Sequence, residues 1–411
     1  MKTASPITSL YVHVPFCARK CEYCAFYSEA ASGEAVNRYV DAVVRELEFI
    51  AEDCQPSTVF FGGGTPSLLN LRQWESILGA MARHALLGAP EWTVECNPAT
   101  VSADKARLLR DFGVNRVSMG VQSLDENLLD RLGRIHSRDQ VFTSFSTLRQ
   151  AGFDNLNVDL MFAIPGQTLA MWEATLEEAL ALRSEHLSCY EVIYEEDTPL
   201  FDQLQAGRFA VDEDLACAMY ETLVERAEAA GFRQYEIANF ARDTGTAPPP
   251  GDPQIPRRAC RHNVNYWRGG SFYGLGPSAT SYVRGVRARN WANTQLYCEQ
   301  LEQGRRAVES REELTPLSRA GETAAFGLRM VAGWPFAEFE RVTGFDLRRE
   351  WAGDLQALEE RGWGQRSADR FQLTRQGLRF ADAAAELMLR PDQRVRSADP
   401  RLEPAHGTSP S

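Results

Sequence analysis

The sequence predicts an α/β protein: a parallel βα barrel followed by a smaller α+β extension. Short apolar runs alternate with amphipathic segments of helical period, and the polar and glycine-rich motifs recur just after the runs. Strand-then-helix repetition of this kind favours parallel pairing with right-handed crossovers. In a parallel βα barrel the loops at the carboxyl ends of the strands converge on one rim, where such motifs would meet.

The elements follow in order. Leu10–Val14 reads as a buried strand that leads into a cysteine-bearing loop. Residues 34–52 place Val36, Tyr39, Val40, Val43, Val44, Leu47 and Ile50 on one helical stripe. Thr58–Phe61 is a second strand, cut off by Gly62-Gly63-Gly64-Thr65-Pro66. A helix around 70–86 precedes strand Trp92–Glu95. Ser102 caps the next helix and Gly113 ends it. Arg116–Met119 is strand-like, with Gln122 just beyond it, and Ser137 with Gln140 forms a capping box. Leu156–Phe162, which carries Asp159, and Leu187–Tyr194 complete the strands.

The loop after the first strand contains Cys17, Cys21 and Cys24 in a C-x3-C-x2-C spacing. Soft thiolates suit iron–sulfur clusters, and a closed protein cage for a four-iron cubane takes four of them. Three leave one iron open to a small molecule. A zinc site pairs two C-x2-4-C arms, and no second arm occurs here. The remaining cysteines are scattered singly and read as small buried apolar residues.

The 411 residues are 44% hydrophobic and 24% charged, as in ordinary globular proteins. No apolar run is long enough for a membrane span and no secretory leader is recognisable. Nine cysteines without a repeated framework suit a reducing cytoplasm. A net charge of −12 argues against nucleic-acid binding. Arginines do gather at Arg257, Arg258, Arg261 and Arg268, and again at Arg284, Arg287 and Arg289, as a solvated face or as a cradle for an anionic ligand.

The organisation expected is a barrel over 1–242, a proline-rich linker at 243–257 and a connecting region at 258–312. A C-terminal module follows at 313–390, with a polar, disordered tail at 391–411. Residues 290–332 read as helical. Within the module, helices, a hairpin across Trp363–Leu373 and a helix from Thr374 suit a winged-helix-like unit.

The string Tyr11-x-His13-x-Pro15-Phe16-Cys17-x3-Cys21-x-Tyr23-Cys24, with Gly62–Pro66, Gly120–Ser123 and Asn157–Thr168, resembles the radical S-adenosylmethionine (SAM) enzymes. Within them it is similar to the branch of oxygen-independent coproporphyrinogen III oxidase. The resemblance covers about Ser9 to Phe380. It implies a partial (β/α)6 barrel and a [4Fe–4S] cluster on Cys17, Cys21 and Cys24, with SAM chelating the open iron. A reduced cluster would then cleave SAM to a 5′-deoxyadenosyl radical. By the same similarity Tyr11, Gly63, Thr65, Glu95, Gln122, Arg134 and Asp159 are the expected SAM contacts. Glycine at 62–64 admits close backbone approach. Glu95 and Arg134 suit the ammonium and carboxylate, and Asp159 the ribose. Taken singly, each is equally explained by an ordinary salt bridge or cap.

Two features narrow the branch. The decarboxylating oxidases carry a further cysteine where this chain has Phe26, and Ala25 stands where close relatives are acidic. The segment Cys260-Arg261-His262-Asn263-Val264-Asn265-Tyr266-Trp267, with Tyr235–Phe240 before it and Gly274–Pro277 after it, resembles the HemW-type heme chaperones. The resemblance implies heme ligated by His262 and packed by Tyr266 and Trp267, with nearby arginines on the propionates. The bland alternative is a hydrogen-bonded histidine beside buried aromatics. Relatives often carry glycine and histidine where this chain has Ser278 and Thr280. His13, beside the cysteine loop, is read as shaping the SAM site.

The expectation is a cytoplasmic heme chaperone holding a cluster, SAM and heme. Its partner would be a heme-acceptor protein, such as a membrane respiratory hemoprotein, and a homodimer is compatible with it. Rival expectations are a coproporphyrinogen oxidase and a radical SAM enzyme that opens or alkylates the heme ring.

Overall fold

The computed structural model describes residues 5–244 and 252–391. The core of the proline-rich linker and all but the first residue of the tail lie outside these. The chain divides into two compact units, Met1–Glu312 with Met330–Ala332, and Glu313–Arg329 with Gly333–Ser411.

In the first unit the alternating apolar runs become strands β1 (Ile7–Val14), β2 (Cys54–Gly63), β3 (Glu91–Cys96), β4 (Arg116–Gln122), β5 (Leu156–Phe162) and β6 (His186–Glu191). Between them run α1 (Gly33–Glu48), α2 (Leu71–Arg83), α3 (Ala103–Asp111), α4 (Arg138–Gln150) and α5 (Leu169–Ala181). Each helix starts on a side-chain cap, from Ser32, Asn70, Ser102, Ser137 and Thr168 in turn. The cap satisfies an otherwise orphaned N–H and sets where each βα loop ends. The box formed by Ser137 and Gln140 is present, and Asn70 with Gln73 makes a second.

After α6 (Glu213–Ala229) come β7 (Phe232–Gln234), β8 (Asn239–Arg242), α7 (Arg261–Trp267) and β9 (Tyr273–Leu275). The nine strands form one sheet in the order β9-β1-β2-β3-β4-β5-β6-β8-β7. β1 to β6 and β9 pair in parallel, whereas β8 runs antiparallel to β6 and β7. β7 and β9 stay at the two edges, so the barrel is partial rather than closed.

The outer face of the sheet meets the helices through large apolar side chains. Phe61 lies 5.2 Å from Trp74 and 6.3 Å from Trp92, measured between ring centroids. Residues of the same strands that point inward are polar yet buried, and they satisfy one another. Ser9 pairs with Thr58 at 2.8 Å, Asn157 Nδ2 donates to Ser118 at 2.7 Å, and His186 Nδ1 donates to Asn157 Oδ1 at 2.6 Å.

Several boundaries differ from expectation. The sixth strand stops at Glu191, with a last ladder bond from the Val192 N–H to the Phe162 carbonyl at 3.0 Å. Gln122 is the last residue of β4 rather than a loop residue, at a left-handed φ of 66°. The stretch 290–332 is not continuously helical. β10 (Thr280–Val283) and β11 (Val286–Asn290) make an antiparallel hairpin, followed by α8 (Thr294–Glu302) and β12 (Val308–Glu313). Gly304, at φ 69°, terminates the α8 segment, and Pro316 opens α9 (Pro316–Gly327) where its missing N–H costs nothing.

The second unit packs α9, α10 (Phe336–Thr343), α11 (Ala352–Glu360) and α12 (Ala381–Met388) with a small antiparallel sheet. Its strands β13 (Trp334–Pro335), β14 (Gly364–Arg366) and β15 (Arg370–Leu373) lie in the order β13-β15-β14, giving the expected winged-helix-like hairpin. No helix among the described residues is long and apolar enough to cross a membrane.

Trp172 of α5 is fully buried against β5 and donates its indole N–H to Met219 of α6 at 2.9 Å. Trp172→Ala is expected to lower stability by roughly 3–5 kcal/mol. The midpoint of urea unfolding of the purified protein measures it.

Candidate functional site

The cysteine loop is clamped at its base. Phe16–Cys17 pairs in parallel with Glu29–Ala30, and the Glu29 N–H donates to the Pro15 carbonyl at 2.7 Å. His13 reaches the loop from β1. Its Nε2 donates to the Tyr27 carbonyl at 2.9 Å, so Nδ1 is left to accept from the Tyr11 hydroxyl at 3.0 Å. Burial lowers the His13 pKa, which keeps the ring in this neutral tautomer. Cys17, Cys21 and Cys24 are free thiols, each partly exposed. Thr65 Oγ1 donates to Cys17 Sγ at 3.6 Å and Arg134 Nη1 to Cys21 Sγ at 3.4 Å.

These thiols line one wall of a cavity of about 470 Å³ at the carboxyl ends of β1 to β6. The glycines of β2 and its loop form a second wall, and here the absence of side chains is a steric requirement. A Cβ on Gly64 would sit 2.7 Å from the carbonyl oxygens of Val14 and Phe16, and one on Gly62 would sit 2.9 Å from Glu95 Oε2. Gly63 itself has φ 102° and donates its N–H to Glu95 Oε2 at 3.1 Å.

Two carboxyls furnish the floor. Asp159 accepts from Ser118 at 2.9 Å and from Asn157 at 2.8 Å, yet burial still raises its pKa. Glu95 is pushed up to about 8, first by burial and then by the nearby Asp159 charge. Neither forms an ion pair among the described residues. Opposite them, Arg134 Nη2 donates to the Gly120 carbonyl at 2.6 Å.

The structure therefore gathers Cys17, Cys21, Cys24, Gly63, Thr65, Glu95, Gln122, Arg134 and Asp159 around a single cavity. Their chemistry fits the pair of groups named by the resemblance. Three cysteine sulfurs, two of them with side-chain donors, suit a cluster with one open iron, and two carboxyls without an ion-pair partner suit a cationic sulfonium amino acid. Tyr11 is not at the cavity. It is buried behind the wall and acts through His13.

His262, Tyr266 and Trp267 also lie away from this cavity. His262 is 1% exposed, and its two ring nitrogens bond Thr58 Oγ1 at 2.9 Å and Tyr266 OH at 2.7 Å. Burial pushes its pKa down to about 3, so the ring is neutral. Glu91 fixes the segment by accepting the N–H groups of Arg261 and His262, both at 2.9 Å. Tyr266 packs edge-on against His262 and Phe272, and Trp267 packs on a cluster that contains Tyr235 and Met330. Both ring nitrogens thus serve hydroxyl partners, while Tyr266 and Trp267 are each partly exposed. Arg257, Arg258, Arg268, Arg284 and Arg287 pair with Asp243, Asp154, Asp252, Asp53 and Glu312. Ser278 adopts φ 62°, a conformation that suits the glycine of its relatives, and Thr280 starts β10.

Phe26, Ile135, Tyr190 and Ile193 also line the cavity. Only Phe26 drew notice in the sequence, as the replacement for a cysteine. The usable signal was position, since Tyr190 and Ile193 lie on or beside the carboxyl end of a strand.

The fold and site define a radical SAM protein, and residues 11–179 match the Radical SAM superfamily while residues 314–380 match the HemN C-terminal domain. Heme chaperone HemW of Bacillus subtilis is 34% identical over 375 residues, covering 90% of this chain and 96% of that protein. Heme chaperone HemW of Escherichia coli is 33% identical over 393 residues, covering 93% and 98%. The solved coproporphyrinogen III oxidase HemN of Escherichia coli superposes with a TM-score of 0.79 over 93% of this chain and 90% of its own; at 22% identity this is a likeness of fold. The chain belongs to the HemW family.

Gly64→Ala is expected to displace the cysteine loop, because the added carbon meets two backbone carbonyls rather than a yielding side chain. Iron and sulfide retained after anaerobic reconstitution should fall to less than about half of wild type, since relief requires shifting packed backbone.

Proposed function

We propose that this protein is a heme chaperone that holds a [4Fe–4S] cluster and SAM in the cavity, binds heme, and passes it to an acceptor hemoprotein. The observation that carries this reading is similarity along nearly the whole chain to proteins named heme chaperones, combined with a cavity suited to both cofactors. When bound, the cluster supplies one electron and SAM a cleavable sulfonium. Cys17, Cys21 and Cys24 would hold the cluster, with Thr65 and Arg134 steadying two of the sulfurs. Glu95 and Asp159 would take the positive and hydroxyl groups of SAM, and Gly62 to Gly64 would let it approach backbone. Phe26 in place of the oxidases' further cysteine favours delivery over decarboxylation. The setting is a reducing cytoplasm, the acceptor a membrane respiratory hemoprotein, and a homodimer is part of the reading.

The direct test is heme transfer from anaerobically loaded protein to an apo-acceptor, with and without the cluster. Transfer is expected, whereas coproporphyrinogen III with SAM and a reductant should yield no protoporphyrinogen. Decarboxylated product would make the oxidase the correct reading.

The electrostatics give a second test. Glu95 is protonated below about pH 8 in the ligand-free protein, and the form that holds a cation is the carboxylate. SAM binding below that pH therefore releases a proton, and affinity should rise as pH climbs from 7 towards 8. Calorimetry in buffers of different ionisation enthalpy detects the proton. Glu95→Gln should weaken SAM binding on the order of tenfold or more and flatten its pH dependence.

A further inference from the structure

We propose that the porphyrin seat is the apolar rim at the mouth of the cofactor cavity, with Phe26 and Ile193 against the macrocycle and the propionates on Arg19 and Lys20. This deepens the chaperone reading and rests on it. Among the described residues twelve large apolar side chains are left exposed, and four of them, Phe26, Ile135, Tyr190 and Ile193, ring this one mouth. Phe26 is 69% and Ile193 67% exposed, the two highest values of that group. Single exposed apolar residues are ordinary on a protein surface, but four that line one cavity point to a binding surface.

The division of chemistry between floor and lip argues for a second ligand rather than for SAM. Charged and hydrogen-bonding groups lie within: Glu95, Asp159, Arg134 and the thiols. Large apolar groups lie at the opening, so a ligand that uses them must have an apolar face and sit over the cofactors. Charge then orients it. Arg19 and Lys20 flank the mouth on the cysteine loop, Arg19 being exposed and only loosely paired with Glu22 at 3.8 Å. The segment after β6 brings Glu191 and Glu195 instead. A heme carries both carboxylates on one edge, so its propionates favour the cysteine-loop side and its apolar edge meets Tyr190 and Ile193. His262 is buried and hydrogen-bonded at both ring nitrogens, and its segment carries none of the exposed large apolar side chains.

The test uses the full chain, reconstituted anaerobically, with hemin titrated at the Soret band. Phe26→Asp and Ile193→Asp should each weaken hemin affinity on the order of tenfold or more. Ile193→Asp lies outside the cysteine loop and should retain iron and sulfide on reconstitution, so its loss of hemin affinity is read apart from loss of the cluster. Leu71→Asp, at an exposed apolar site on α2 outside the cavity, should bind hemin normally. Reversing Arg19 and Lys20 to glutamate should weaken binding of hemin but spare hemin dimethyl ester, which lacks the carboxylate charge. Wild-type affinity in both apolar-rim variants, with binding lost in His262→Ala, would overturn the seat. So would normal hemin binding by the rim variants with transfer abolished, because the rim would then be a docking face for the acceptor protein. Wild-type protein that binds no hemin would refute the chaperone reading itself, and the seat with it.

Discussion

Two carboxyls close together with no ion-pair partner among the described residues, Glu95 and Asp159, are the constraint around which the first unit is organised, and the charge of buried Arg116 eases both only in part. Burying a charge without a partner is expensive, and the usual escape is to keep the proton. Glu95 takes that escape, with its pKa raised to about 8. Asp159 is eased by donors from Ser118 and Asn157, and the Gly63 N–H does the same for Glu95. The cost would not persist in a site meant only to be stable. It is removed by a ligand that brings positive charge, so the floor of the cavity is a preorganised demand for a cation.

The opposite wall solves a different problem. Thiols in a flexible loop would lose conformational entropy on gathering at one cluster. Here the loop is held before anything binds, by the short parallel pairing of Phe16–Cys17 with Glu29–Ala30 and by the neutral His13 ring on Tyr27. Gly64 lets the second βα loop press directly on the carbonyls that precede the cysteines. Two βα loops thus brace one another through close backbone approach, which tolerates little change in side-chain size.

Much of this was legible in the chain because it depends on local rules. Helix stripes, caps such as Ser102 and Ser137, and the strand ahead of each motif follow from residue periodicity and short-range hydrogen bonding. Short strands of three or four residues, β7, β8 and β9, escaped because they are shorter than a readable period and exist through pairing to other strands. Direction was also hidden. Tyr11 and Phe60 face the interior beside His262, at ring separations of 6.4 and 5.2 Å, and nothing local distinguishes that from facing a ligand. The ion pairs of the arginine clusters were hidden for a similar reason, since their carboxylate partners lie elsewhere in sequence.

The H-N-x-x-Y-W segment acquires a physical role from where its neighbours lead. From Asp159 in the cavity, hydrogen bonds run through Asn157 to His186, from His186 Nε2 to the Tyr235 hydroxyl at 2.8 Å, and from that hydroxyl to the Cys260 N–H at 3.2 Å. Asn157 Oδ1 must accept from His186 Nδ1, which leaves Nε2 to accept from Tyr235. Each partner therefore fixes the proton position of the next. Glu91 then grips the start of the segment through the Arg261 and His262 N–H groups, and His262 closes against Thr58 and Tyr266. A motif held this way behaves as the floor of the barrel interior. Its polar residues are there because the inward faces of β2, β3 and β5 are polar and must be satisfied, and that requirement accounts for a histidine and a tyrosine four residues apart on one short helix.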